Sequence, residues 1–291
     1  MPKSSTTPSK TPSSSSLPPT ERPGVRDDLD RATTAELLQW MHETDADVHR
    51  AVGEALPQVE GFINALVPRM QEGGRLFYIG AGTSGRLGVV DASECPPTFG
   101  VSSELVVGLI AGGDGAIREA VEGAEDDAEG AWRDLAPYEP GPSDAVVGIA
   151  ASGRTPYVVG GLKAARAAGL LTAALVCNPG SAAAAAAEHE MCAETGPEFV
   201  TGSTRLKAGS ATKLILNMIS TSTMIQLGRV SGNRMVDMKP ANAKLVERGI
   251  RMIEEATGCE TLVARELLAT HGSVRAAIDF FTSKNPGAHH A

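Results

Sequence analysis

The sequence predicts an α/β fold: a doubly wound, parallel five-stranded sheet, with helices before it and a small helical domain after it. Three observations carry this. Short apolar runs alternate with stretches long enough for crossover helices, as parallel strands require, because each return to the same sheet must cross one of its faces. The chain is 42% hydrophobic but only 4% aromatic, with 32 glycines, which suits layers packed from Ala, Val, Leu, Ile and Met. Glycine- and hydroxyl-rich loops follow the first and third runs, where an open α/β sheet binds its ligands.

Residues 1–24, MPKSSTTPSKTPSSSSLPPTERPG, hold almost no apolar side chain to offset the entropy of ordering, so a disordered tail is expected. The tail also lacks the apolar centre of a secretory signal. Over 25–70, Leu37, Leu38, Met41, Val48, Val52, Leu56, Val59, Phe62, Ile63 and Leu66 recur at three- and four-residue intervals, predicting two or three helices. His42 and His49 share a helical face at best and have no third ligand nearby, so they read as ordinary histidines rather than a metal site.

The sheet domain is expected over 71–238. Its strand-like runs are Leu76 to Ile79, Leu105 to Ile110, Ala145 to Ala150, Leu171 to Cys177 and a weak one near Met191 to Ala193. Between them, 84–93, 114–135, 156–168 and 181–188 are long enough for crossover helices, and a long helix is expected from about Arg205 to Val230. Residues 239–291 read as a separate helical block punctuated by Gly258 and Gly272.

Composition excludes several classes of function. Lys plus Arg is 26 and Asp plus Glu is 35, a net charge of −9, whereas a general binder of nucleic-acid backbones carries a basic excess. The four cysteines, Cys95, Cys177, Cys192 and Cys259, show no CxxC spacing, which argues against a zinc site or a disulfide scaffold and fits a reducing cytoplasm. No apolar run approaches the roughly 20 residues of a membrane span.

The first run ends in Gly80-Ala81-Gly82-Thr83-Ser84-Gly85-Arg86, where glycines admit a ligand close to the backbone at a helix N-terminus, an anion cradle. The loop matches the dinucleotide fingerprint, but the second strand ends Gly108-Leu109-Ile110-Ala111-Gly112-Gly113, without the carboxylate that would hold a ribose. The hydroxyls of Thr83 and Ser84 suit a terminal phosphate better. A second loop, Ala151-Ser152-Gly153-Arg154-Thr155, precedes Pro156 at an expected first helical turn. In strand order 2-1-3-4-5 the two loops are neighbours at the switch point, so both can hold one phosphate. Thr201-Gly202-Ser203-Thr204-Arg205-Leu206-Lys207 is a third loop of this kind.

Four segments, Gly80 to Gly100 (with the run DASECPPT inside it), Val121 to Asp126, Ala150 to Tyr157 and Thr201 to Met218, closely resemble the N-acetylmuramic acid 6-phosphate etherases of the sugar isomerase (SIS) superfamily. The likeness extends over about residues 25–280. The glucokinase regulatory protein, which binds sugar phosphates without catalysis, is built from similar modules. The resemblance implies a cofactor-independent lyase that releases D-lactate from C3 of the sugar phosphate by proton abstraction at C2, elimination and water addition. An aldose–ketose isomerase or a non-catalytic sugar-phosphate sensor are the alternatives.

Matched motif to motif, the resemblance puts the family's proton donor on Glu94 and its second catalytic carboxylate on Glu125. It puts phosphate binding on Thr83, Ser84, Ser152, Gly153, Thr155 and Lys207. It also implies a homodimer, since superfamily sites commonly form near a subunit boundary, and no metal or redox cofactor. On a helix running on from Asp114, Glu125 would lie nearest the stripe of Ile117, Val121, Ala124 and Ala128, where desolvation raises a carboxyl pKa. Pro96-Pro97 is expected to end the helix before it, setting Glu94 in a turn. Cys95 has no base beside it in sequence and reads as structural. The family usually opens with Thr-Glu followed by Arg-Asn, whereas this chain reads Thr20-Glu21-Arg22-Pro23-Gly24. The block from Thr257 to Phe281 resembles the family's UBA-like end domain and is expected to be shortened by about one helix.

Overall fold

The computed structural model describes residues 17–285. Five strands, β1 (Leu76–Gly80), β2 (Val106–Ile110), β3 (Ala145–Ile149), β4 (Leu171–Val176) and β5 (His189–Cys192), form one sheet in the order β2-β1-β3-β4-β5. Every pairing is parallel. β1, β3 and β4 are buried along their whole length, as strands covered on both faces must be. Helix α2 (Gly82–Phe99) follows β1, α4 (Pro156–Ala167) follows β3, and the short α5 (Ala182–Ala186) follows β4. One apolar cluster lies between the sheet, α2, the N-terminal helix α1 (Thr34–Gln71) and the long α6 (Lys207–Gln226). A second covers the opposite face, beneath α4 and the short α3 (Gly130–Leu135).

The segment before the sheet is a single 38-residue helix, not two or three. A capping box between Thr33 and Glu36 starts it, and it runs unbroken through Pro57. Its buried residues, Val48, Ala51, Val52, Ala55, Val59, Phe62, Leu66 and Met70, form one stripe that spans the proline. Burying that stripe against α6 and β5 outweighs the roughly 3 kcal/mol an internal proline costs.

Two further expectations are corrected. Residues 114–135 do not form one helix: 3₁₀ turns at Asp114–Ile117 and Ala124–Asp126 precede α3. Gly123 adopts a left-handed backbone conformation there, φ 74° and ψ −9°, which no helix continues through. Conversely, α2 does not stop before Pro96-Pro97 but ends at Phe99, closed by Gly100 at φ 67°. Both prolines fall in its last turn, so the break they impose costs little helix. Glu94 is therefore helical.

The expected tail divides. Residues 1–16 lie outside the described residues, but 17–24 are built into the molecule. Thr20 is fully buried: its N–H donates to Asn178 Oδ1 at 3.1 Å and its hydroxyl accepts from Asn178 Nδ2 at 2.8 Å. The Gly24 N–H donates to Thr201 Oγ1 at 2.9 Å.

At the other end, α7 (Ala243–Thr257), α8 (Thr261–His271) and α9 (Val274–Lys284) enclose a third cluster around Ile250, Ile253, Ala264, Leu268, Val274 and Ala277. Gly258 and Gly272 cap α7 and α8 in left-handed conformations, as their spacing predicts. Arg275 ties α9 to Asp237 through two bonds of 2.7 and 3.0 Å. Among the described residues no helix is long and apolar enough to cross a membrane.

Candidate active site

β1 and β3 are adjacent and both chain directions switch there, so α2 and α4 point their N-termini at the same space above the carboxyl edge. Ala81 precedes α2 and offers no side-chain cap. The first helical bond runs from the Gly85 N–H to Ala81 O at 3.2 Å, leaving the N–H groups of Gly82, Thr83 and Ser84 without helical acceptors. Gly85 permits this close turn: a Cβ there would lie 2.6 Å from Gly80 O and 2.6 Å from Ile110 Cγ1. α4 opens with Pro156 in its first turn and likewise has no side-chain cap.

Between the two helix ends lies a cavity of about 190 Å³ that six hydroxyl residues line: Thr83, Ser84, Ser152, Thr155, Thr204 and Thr212. Glu21 and Glu125 complete its rim, and no Lys or Arg lines it. Free N–H groups, hydroxyls and two positive helix ends make a binding site for a small dianion that needs no cationic side chain.

Residues 58–166 match the model of the glucokinase regulatory protein N-terminal SIS domain. An N-acetylmuramic acid 6-phosphate etherase from Christiangramia forsetii is 56% identical over 262 residues, 90% of this chain and 96% of that protein. One from Bacteroides fragilis is 52% identical over 261 residues, 90% of this chain and 93% of that protein. Among solved structures, a phosphoheptose isomerase from Francisella tularensis shares the fold, with a TM-score of 0.51 and 18% identity over 67% of this chain and all of the other. The chain belongs to the N-acetylmuramic acid 6-phosphate etherase family.

Four of the phosphate-binding residues expected from the etherase motifs, Thr83, Ser84, Ser152 and Thr155, meet in the cavity. Gly153 shapes the loop instead. Its φ is 66°, its N–H donates to Ala150 O at 2.8 Å, and a Cβ would lie 2.1 Å from Ser181 Oγ. Lys207 is a correction. Its side chain is 2% exposed and its Nζ donates to Asp47 Oδ2 at 3.0 Å, away from the cavity. The third loop is not a free anion cradle either, because buried Glu198 already occupies the start of α6. Its carboxylate accepts from the N–H groups of Lys207 and Ala208 at 2.9 and 3.0 Å. Burial raises the Glu198 pKa, and these donors oppose that rise.

Glu125 reaches the cavity rim, but not by the route expected. It is exposed, in the 3₁₀ turn after Gly123, and lines both this cavity and the one beside it. The expectation of a desolvated carboxylate on a helix's buried side fails with that helix. Glu94 does not line the cavity. It is exposed on α2, eleven residues beyond Thr83 and so about 16 Å further along the helix axis. Sequence reasoning missed Glu21 as a lining residue, although its Thr-Glu pair is the one part of the family's opening motif that this chain keeps.

Within the DASECPPT run, Asp91 is buried. It accepts from Tyr78 Oη at 3.0 Å and Ser220 Oγ at 3.0 Å. Burial pushes its pKa up to about 6, against the pull of those bonds and of Lys213. Cys95, one turn on, is buried, and its thiol pKa is pushed up to about 12 by burial and then by the charges of Asp91 and Glu94. A thiol so held is protonated and inert at neutral pH.

A carboxyl whose pKa is higher folded than unfolded stabilises fully below its unfolded value and loses that contribution as pH rises through the folded value. Asp91 therefore weakens the fold between about pH 4 and about pH 6, by up to about 3 kcal/mol. Denaturant unfolding of wild type and Asp91→Asn should show wild type losing stability relative to the variant over that window. A pH-independent difference contradicts the assignment.

Proposed function

We propose that the protein cleaves the D-lactyl ether of N-acetylmuramic acid 6-phosphate, giving N-acetylglucosamine 6-phosphate and D-lactate. The observation that carries this reading is the carboxylate of Glu125 at the rim of a hydroxyl-lined cavity capped by two helix N-termini. Phosphate bound there holds the sugar by one end. Glu125 then removes the C2 proton, made acidic by the open-chain aldehyde. The electron pair forms the C2–C3 double bond as the C3–O bond breaks, and the departing lactate oxygen takes a proton from Glu94. Water adds to C3, a proton returns to C2, and the net change is hydrolysis of the ether.

The position of Glu94 supports a homodimer. α2 runs back along the sheet from the phosphate end, so Glu94 stands far below its own cavity. Our reading is that each Glu94 serves the site of the partner protomer, and exposed Val90, at 55%, gives that face of α2 an apolar contact. The same reading divides the chain into a helical N-terminal segment, a sheet domain over 71–238 and an end domain from 239, whose separate apolar cluster also takes in Val236 and Met238 from just before that boundary, and it places the enzyme in the cytoplasm.

The test is to incubate the purified protein with N-acetylmuramic acid 6-phosphate and measure D-lactate and N-acetylglucosamine 6-phosphate together. Equimolar release is expected. A ketose phosphate without lactate would indicate an isomerase, and thermal stabilisation without turnover would indicate a sensor.

A further inference from the structure

The proposed substrate carries two anions, the phosphate on C6 and the carboxylate of its lactyl group. The cavity described above accounts for the first. We infer that a groove between α1, α2 and α6 binds the second, with Arg205 and Lys213 as the residues that select a lactyl ether over a plain sugar phosphate. This rests on the etherase reading.

The groove, about 450 Å³, shares Thr83 and Gly209 with the phosphate cavity, so one ligand can span both. Leu87 and Lys213 lie one helical turn beyond those shared residues, about 6 Å along α2 and α6. Arg205, Lys213 and His49 face the groove, with Asp45 as the acid among them. Among the described residues none of these four takes part in an ion pair. Cations left unpaired around a concave surface are suited to an anionic ligand.

Lys213 is also held in place from behind. With its amide turned as its neighbours require, Asn217 accepts from Lys213 Nζ at 2.9 Å and donates to Asp91 Oδ1 at 3.3 Å. The ammonium thus stands on a chain of bonds rooted in buried Asp91 and its partners Tyr78 and Ser220. Of the other cavities that adjoin the phosphate site, the one of about 230 Å³ beside Glu125 offers no comparable site. Glu122 and Glu125 line it. Its arginine, Arg86, already donates to Ile117 O and Ala116 O, both at 2.8 Å. Of the two cavities that share α2 residues with the phosphate site, charge favours the one beside α6 for the lactyl carboxylate.

The test compares two ligands that differ in that carboxylate. In a Glu125→Gln background, which prevents turnover, calorimetry measures binding of N-acetylmuramic acid 6-phosphate and of N-acetylglucosamine 6-phosphate to protein with and without Arg205→Gln and Lys213→Gln. The pair of substitutions should weaken the first ligand about 10- to 100-fold and the second less than about twofold. Asp45→Asn should shift the first ligand the other way, a few-fold tighter. Equal weakening of both ligands, or of neither, overturns the inference. Failure of the underlying etherase reading shows separately, as wild-type protein that releases no lactate.

Discussion

Glu125→Gln should release D-lactate at least about 10³-fold more slowly than wild type while still binding substrate. A positioned base contributes roughly 10² to 10⁴ in rate, and glutamine keeps the shape of the side chain but cannot take the C2 proton. The structure makes this substitution unusually clean. Glu125 is exposed in a 3₁₀ turn, so its replacement should shift stability by no more than about 0.5 kcal/mol. Stopped assays with unchanged thermal unfolding would separate chemistry from folding. A variant retaining more than about a tenth of wild-type rate would remove Glu125 from the mechanism.

The second large effect concerns Glu94. Alone, Glu94→Gln should lose activity on a similar scale, because expulsion of lactate then lacks its proton. Mixed and allowed to exchange subunits with Glu125→Gln, it should recover activity. In a mixed dimer, one site combines an intact Glu125 from one protomer with an intact Glu94 from its partner. Random exchange makes half of the dimers mixed and half of their sites competent, so about a quarter of wild-type activity should return. Two inactive variants that stay inactive after proven exchange would show that Glu94 acts within its own chain. A monomer by light scattering would contradict the shared site outright.

The sheet, its order and both phosphate loops were legible because each rests on local chemistry: apolar runs of strand length, glycines where a helix must start close to a strand, and hydroxyls beside them. Weak signals were legible too, such as the short strand near Met191. The errors have separate physical causes. The apolar spacing before the sheet suggested two or three helices, yet a stripe from Val48 to Met70 buried against α6 and β5 kept α1 whole. Pro96-Pro97 suggested a helix boundary, but both fall where the helix was about to end. The acidic stretch around Glu125 resembled a helix, and Gly123, with its left-handed backbone, decided otherwise. Lys207 sat beside a hydroxyl loop in sequence, but its partner Asp47 lies 160 positions away, a pairing no local pattern encodes. Glu21 was hidden by the Ser/Thr/Pro-rich composition around it, and the neighbouring Thr20 is held by Asn178, a residue 158 positions away just beyond β4.

Elimination across C2 and C3 breaks the ether at the sugar carbon, whereas attack of water on lactate breaks it at the lactyl carbon. Running the reaction in ¹⁸O-labelled heavy water separates the two. Elimination should leave N-acetylglucosamine 6-phosphate carrying ¹⁸O at C3 and deuterium at C2, with unlabelled D-lactate. Oxygen label in the lactate, or a C2 position that keeps its original proton throughout, would contradict it.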